Sequence, residues 1–233
     1  MYEVGQKQFT KENYLYNVSP TKYAFILICF CFIGLNESVA QLYGAVKVTY
    51  SLPFIRSQEV KYDDHLDFLL YKVRFIEQDV SPTISAFAYF RNELLYLEGG
   101  IGYRRVRSKF SSIDYLNYED LTPQLETKET NYFVIPITTG IRFENFKFGF
   151  GPVVSIIASE NKIFENLQFF EERRDNVEYG FSINAGLALY RLHIDISYEY
   201  QFNGVGDYFY FRGDRKGFTN QSRFVNIGLG YLF

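Results

Sequence analysis

Four polar side chains alternate along one short stretch and could form a catalytic set. They are His193, Asp195, Ser197 and Glu199. A histidine, a hydroxyl and an acid are the groups that a hydrolase uses as base, nucleophile and orienting acid. Residues two apart on a strand, however, lie about 7 Å from each other, beyond the hydrogen-bond reach of a nucleophile and its base. The spacing favours the polar face of a strand, and we predict no catalytic residue.

Two other motifs could bind a ligand. Asp63, Asp64, His65 and Asp67 supply metal-ligand types, but the other histidine, His193, is far along the chain. A solvated acidic loop is the preferred interpretation, with weak calcium binding left open. The glycines of residues 99–102 are not followed by a predicted helix, so a phosphate-binding loop is not expected. We predict neither a metal nor a cofactor, and the net charge of −3 argues against a nucleic-acid partner.

The first forty residues predict export. An apolar run at 24–35 follows Lys22, and Ser38 and Ala40 supply the small residues before a cleavage site at Gln41. We therefore divide the chain into an N-terminal extension with a cleavable signal peptide, 1–40, and a mature domain, 41–233. Both cysteines lie in the apolar run, so the mature domain would have no thiol or disulfide chemistry.

The mature domain alternates between apolar and polar residues, as half-buried strands do. In 192–202 every second residue is apolar, and the residues between them are polar. Counting such segments predicts eight strands, at 43–52, 82–90, 94–107, 130–143, 145–157, 177–190, 192–202 and 222–233. Short connections alternate with four long ones, at 53–81, 108–129, 158–176 and 203–221. This alternation is typical of an antiparallel meander closed into a barrel.

The composition of the two faces indicates which one meets solvent. The polar face is rich in glycine, which suits a cramped interior, and the apolar face carries many of the 21 Tyr and 25 Phe. The strands are also long enough to cross a bilayer at a tilt. We predict an all-β fold, an eight-stranded antiparallel up-and-down transmembrane β-barrel of OmpA- or OmpX-like size.

Charged residues fall on the polar face of these strands, where they would line the lumen. We expect a polar network of Lys47, Glu98, Arg104, Arg142, Lys147, His193, Asp195 and Glu199. Buried charges persist when they are paired and hydrogen-bonded. A lumen with nearly balanced charge indicates an interior plugged by side chains and not an aqueous pore.

Three segments resemble the PorT-like outer-membrane β-barrel family of Bacteroidetes-type bacteria. They are Ser38-Val39-Ala40-Gln41, the run 132–137 followed by Phe148-Gly149-Phe150-Gly151-Pro152, and the terminal strand 225–233; residues 94–105 also resemble the family's third strand. The alternation ending in Tyr231 and Phe233 is similar to the signal read by the barrel-assembly machinery. The resemblance implies a barrel fold and an outer-membrane address, and little about activity.

The expected function is structural or interactive: envelope integrity, adhesion or a part in a secretion assembly. Expected partners are outer-membrane lipid and lipopolysaccharide, the assembly machinery, and envelope proteins that contact the four long loops. A lipid A-modifying hydrolase, a narrow pore for small solutes and a soluble ligand-binding barrel stay open as alternatives.

Overall fold

The computed structural model describes most of the mature domain. The described residues are 41–63, 68–116, 121–164, 167, 170–172, 176–204, 209–212, 214–215, 218 and 221–233. The predicted signal peptide lies outside them, as do Asp64, His65 and Asp67 of the candidate metal loop. Within the described ranges, no helix is long and apolar enough to cross a membrane, a finding that does not bear on crossing by strands.

Thirteen strands form in the described residues. They are β1 Gln41–Pro53, β2 Gln58–Asp63, β3 Leu69–Gln78, β4 Ser81–Arg91, β5 Leu95–Asp114, β6 Gln124–Phe143, β7 Phe146–Glu160, β8 Phe170–Glu172, β9 Val177–Leu189, β10 Leu192–Gly204, β11 Phe209–Phe211, β12 Asp214–Arg215 and β13 Gln221–Leu232. Eight of them pair in the closed order β1-β4-β5-β6-β7-β9-β10-β13 and back to β1, each antiparallel to its neighbours. The predicted eight-stranded up-and-down barrel is confirmed.

Tight turns join consecutive ring strands at one end of the barrel, which we call the turn end. Glu144 and Tyr190 open two-residue turns with φ of 51° and 57°, which reverse the chain between paired strands. Between β4 and β5, the Asn92 side-chain oxygen accepts hydrogen bonds from the Leu94 and Leu95 amides. The opposite end, the loop end, carries the long connections.

All four long connections contain strand residues, beyond the eight strands that alternation predicted. β2 and β3 pair with each other inside 53–81, and β3 also pairs with β5. β5 and β6 stay paired far into 108–129, as far as Ser112 opposite Gln124. Together these strands form a four-stranded extension beyond the ring at the loop end. The third and fourth connections contribute β8, β11 and β12, which form a separate small sheet.

Alternation along β5 explains why the extension was missed. Outward side chains are apolar up to Tyr103 and then become Arg105 and Arg107. The inward side chains change in the opposite sense, from buried Arg104 to buried Val106 and Phe110. The apolar–polar pattern therefore reverses its phase part-way along one continuous strand. For this reason the predicted strand ended at residue 107, whereas β5 continues to Asp114.

Apolar side chains cover the outside of the ring, and we call this surface the outward belt. Exposed members include Val46, Val48, Ile84, Ile101, Phe133, Ile137, Ile141, Phe148, Phe150, Ile183, Ile194, Ile196, Ile227 and Leu229. An apolar band around a ring whose interior is polar is the arrangement of a transmembrane barrel. Tyr231 and Phe233 of the predicted assembly signal also face outward, and the Phe233 amide donates to the Gly44 carbonyl oxygen at 3.0 Å, at the seam between β13 and β1.

Candidate functional site

Four buried charges form a closed circuit inside the barrel, which we call the charge ring. Lys47 Nζ lies 2.8 Å from Glu98 Oε1 and 2.7 Å from Asp195 Oδ2. Lys147 Nζ lies 3.2 Å from Glu98 Oε2 and 2.7 Å from Asp195 Oδ1. Each lysine thus contacts both acids and each acid contacts both lysines, so the ring carries no net charge. This mutual pairing offsets the large cost of removing four charges from water.

The ring is assembled from four strands, and glycine makes the room for it. Its members come from β1, β5, β7 and β10, so it spans the lumen. Gly186 pairs with Asp195 on one side and Lys147 on the other. A Cβ at Gly186 would lie 2.4 Å from Asp195 Oδ1 and 2.9 Å from Lys147 Cε. The glycines of the polar face therefore provide space for charged side chains from neighbouring strands.

Aromatic side chains and a histidine line the lumen beside the charge ring. The Tyr89 ring packs edge-on against His193, at 5.0 Å between centroids, and lies tilted against the Tyr96 ring at 5.7 Å. His193 Nδ1 lies 3.5 Å from Lys147 Nζ, and the Tyr96 hydroxyl donates to Asn184 Oδ1 at 2.9 Å. Tyr89, Tyr96 and Asn184 were not among the predicted lumen residues. Tyr96 and Asn184 lie two residues from Glu98 and Ser182 on their strands, and this shared phase was the available signal. The two tyrosines were missed because aromatic residues were assigned to the lipid face.

A second ionic contact lies nearer the loop end, and we call it the arginine clamp. Arg104 donates from Nη1 and Nη2 to the two carboxylate oxygens of Glu199, both at 2.9 Å. Asn226 Nδ2 donates to Glu199 Oε2 at 3.2 Å, and the Gln201 amide donates to Oε1. A bidentate guanidinium–carboxylate pair with further amide donors is among the stronger arrangements for a buried charge.

Between the charge ring and the arginine clamp is a cavity of about 90 Å³. Members of both clusters line it, together with Ser, Thr and Asn side chains of six strands. Part of the cavity wall is apolar, since Val134 and Val153 line it and belong to one buried cluster with Val106 and Tyr132. The lumen therefore holds a small polar chamber between two layers of side chains.

Six of the eight predicted lumen residues belong to these two clusters, and His193 lies buried beside the charge ring. Arg142 is the exception. Arg142 is half-buried near the turn end, and its Nε donates to the Glu144 carbonyl oxygen at 2.7 Å. No salt bridge joins Arg142 to Glu98, Asp195 or Glu199. The charge ring and the arginine clamp together contain three cations and three anions. The reason is position: residue 142 is adjacent to the two-residue turn, where the backbone carbonyls are accessible to its side chain.

The structure also separates the four residues of the hydrolase hypothesis. Asp195 belongs to the charge ring and Glu199 to the arginine clamp, while His193 contacts Lys147. The Ser197 hydroxyl accepts a hydrogen bond from Asn226 Nδ2 at 3.3 Å. Thus neither the serine nor its acidic neighbours present the nucleophile–base contact of a catalytic set. Across the described ranges, no group of three or more His, Cys, Asp or Glu side chains could hold a metal.

A hydrophobic cluster occupies the inward side of the extension, and we call it the cap. Its buried members are Tyr62, Leu70, Tyr71, Val73, Phe75, Phe110, Ile163, Phe164, Leu167, Phe211 and Phe218. Phe110 packs edge-on against Phe75 at 5.6 Å and Phe164 at 5.9 Å. Burial here raises the pKa of the Tyr62 hydroxyl above its ordinary value. Residues of all four long connections thus share one core outside the ring.

Comparisons with known proteins give structural likeness only. No protein-family model and no curated protein matches the sequence. Neisserial surface protein A is 14% identical, with a TM-score of 0.40 over 83% of this chain and 99% of that chain. The outer membrane protease OmpT from Escherichia coli is 11% identical, with a TM-score of 0.43 over 82% and 97%. The translocator domain of the autotransporter NalP from Neisseria meningitidis is 10% identical, with a TM-score of 0.35 over 91% and 95%. Similarity at this level assigns no activity to the chain.

Proposed function

We propose that this chain is a small outer-membrane β-barrel with a sealed lumen and a structural or interactive role. The outward belt requires a bilayer as its solvent, and short turns at one end with long connections at the other are typical of outer-membrane barrels. By the same rule the turn end faces the periplasm and the cap faces outward. Envelope integrity, adhesion and secretion assembly are the roles that such a protein can serve.

The observation that carries the proposal is the filling of the lumen. The charge ring, the arginine clamp and the buried apolar cluster occupy the interior of the ring, and the cap occupies the inward side of the extension. Moving an ion through would require breaking neutral, buried ion pairs, and truncating such a pair typically costs about 3–5 kcal/mol. The filled lumen therefore favours a barrel plugged by its own side chains over an open pore.

The cap supports an interactive role at the cell surface. The four long connections are tied into one core with buried aromatic side chains, so they present a fixed surface to partners. A fixed surface loses less conformational entropy on binding than flexible loops do. Envelope proteins and surface glycolipids are the partners we propose, with the barrel-assembly machinery acting on the strand that ends at Phe233. Membership of the PorT-like family is part of the same hypothesis.

Conductance in a planar bilayer tests the sealed lumen. Purified chain that has been refolded in detergent is added to the bilayer, and a general porin serves as the positive control for insertion. We expect no conductance steps from the chain at moderate voltage. Regular steps from a preparation whose insertion is verified would show an open lumen and would favour the narrow-pore alternative.

A further inference from the structure

The outward belt ends on β5 and β6 in a row of polar side chains. Tyr103 and Phe133 are the last outward aromatic residues there, and their rings pack edge-on at 6.2 Å. The Tyr103 hydroxyl donates to Asn131 Oδ1 at 2.8 Å, and Asn131 Nδ2 donates to Ser159 Oγ at 2.8 Å. Three neighbouring strands are thus linked by hydrogen bonds at the level where the apolar surface stops, which marks the boundary of the bilayer's hydrocarbon region.

Two arginines lie immediately beyond this row. Arg105 and Arg107 follow Tyr103 on the outward face of β5, and their side chains are 47% and 48% exposed. They share a single acid, because Arg105 Nη2 bonds to Glu129 Oε2 and Arg107 Nε lies 2.8 Å from Glu129 Oε1. The hydrogen bond from Arg105 lowers the pKa of Glu129, so the acid stays ionised. The trio therefore carries one net positive charge.

Most of the donors of the two arginines are not used by Glu129. A guanidinium has five N–H donors in a planar fork, and one carboxylate can engage only part of two such forks. Lys109, the next outward cation along β5, is different. Its Nζ lies 2.7 Å from Glu77 Oε1 and 3.3 Å from Asp79 Oδ1, so two acids neutralise it. Along the outward face of β5, the surplus positive charge therefore lies on the pair nearest the membrane.

We propose that Arg105 and Arg107 bind the phosphate headgroup of an outer-leaflet glycolipid of the lipid A type. The site deepens the proposed function, since it relies on the loop end facing outward. Lipid phosphates lie just above the hydrocarbon region, where the two guanidiniums are held. Guanidinium forks match the geometry of phosphate oxygens, while Tyr103 and Phe133 contact the first methylenes of the acyl chains. Glu129 holds the guanidinium groups of Arg105 and Arg107 side by side. It also limits the affinity for phosphate, because its carboxylate neutralises one of the two positive charges.

Native mass spectrometry of the full chain in detergent tests the site. The probes are diphosphorylated lipid A and the same lipid with both phosphates removed, with inorganic phosphate added as a competitor in a separate arm. We expect wild type to prefer the phosphorylated lipid and Arg105→Gln/Arg107→Gln to lose about tenfold in affinity for it. Lys109→Gln is the matched control, because it removes a neighbouring cation of similar exposure, and it should change the affinity by less than about twofold.

Glu129→Gln gives a result in the opposite direction. Removing the shared acid adds one net positive charge to the two forks, so binding of the phosphorylated lipid should strengthen. Equal binding of both lipids by wild type would overturn the proposal, as would equal losses in Lys109→Gln and the double variant. Full displacement by inorganic phosphate would assign the site to free anions. Each variant must first show the gel shift of a folded barrel; absence of that shift in wild type would instead contradict the proposed function.

Discussion

At the residue scale, stability depends on how the buried charges are balanced. Lys147 is fully buried and contacts both acids of the charge ring. The ring is neutral as a unit, so each member is needed by the other three. A residue of this kind has a larger effect on stability when it is removed alone than when a partner is removed with it.

Lys147→Met should therefore destabilise the barrel strongly. Two acids would share Lys47, leaving one buried negative charge without compensation, and we expect a loss of about 3 kcal/mol in the free energy of unfolding. Urea-induced unfolding in lipid vesicles measures it. Adding Asp195→Asn removes the surplus charge and should restore part of the loss. A double variant no more stable than Lys147→Met would contradict the balance argument.

Glycine at Gly149 makes room for Tyr96. A Cβ there would lie 2.2 Å from the Tyr96 hydroxyl and 2.8 Å from the Thr139 carbonyl oxygen. Gly149→Ala should displace the tyrosine and lower stability by about 1–3 kcal/mol, the usual cost of overpacking. Gly99→Ala is the control, since a Cβ there meets nothing within 4 Å. Equal unfolding midpoints for the two variants would show that Tyr96 does not need the space.

At the element scale, the reversal of the strand pattern marks the edge of the membrane. β5 is outward-apolar in the ring and outward-charged in the extension, because the solvent outside changes from lipid to water while the inside changes from polar lumen to apolar cap. Alternation predicted six of the eight ring strands to within three residues, whereas β5 and β6 extend further at the loop end than predicted. It could not predict β2 and β3, because charged outward residues there resembled a loop.

Phe110 tests whether the cap folds as a unit on top of the ring. Its side chain is fully buried among Phe75, Phe164 and Phe218. Phe110→Ala should remove about 3–5 kcal/mol from the packing of the cap and leave the ring intact. Limited proteolysis should then cut 158–176 and 203–221 faster, while the gel shift of the folded barrel persists.

Leu125→Ala is the matched control for Phe110→Ala. Leu125 lies on the same extension, but it is 74% exposed, so its truncation should leave the cleavage rate unchanged. Cleavage of Phe110→Ala at the rate of Leu125→Ala would show that the cap aromatics do not hold the loops. Loss of the gel shift in Phe110→Ala would show that ring and cap are not separable units.

At the scale of the whole molecule, the aromatic content divides between two environments. Tyr and Phe of the outward belt face lipid, whereas Tyr62, Phe75 and Phe110 form the cap. The sequence predicted the first group through its phase opposite glycine and charge. That opposite charges meet in the lumen could also be predicted, because they fell on one face. Which charges meet depends on strand register and shear, so the split into a charge ring and an arginine clamp required the structure.

The central claim is that the ring inserts in a bilayer with its apolar face outward. Gel migration of the carbonate-washed membrane fraction in detergent, unboiled against boiled, tests it most directly. We predict that the chain remains in the membrane pellet and that the unboiled form migrates differently from the boiled one, because a closed barrel resists detergent until heated. Recovery of the chain in the soluble fraction, with identical migration before and after boiling, would contradict the account.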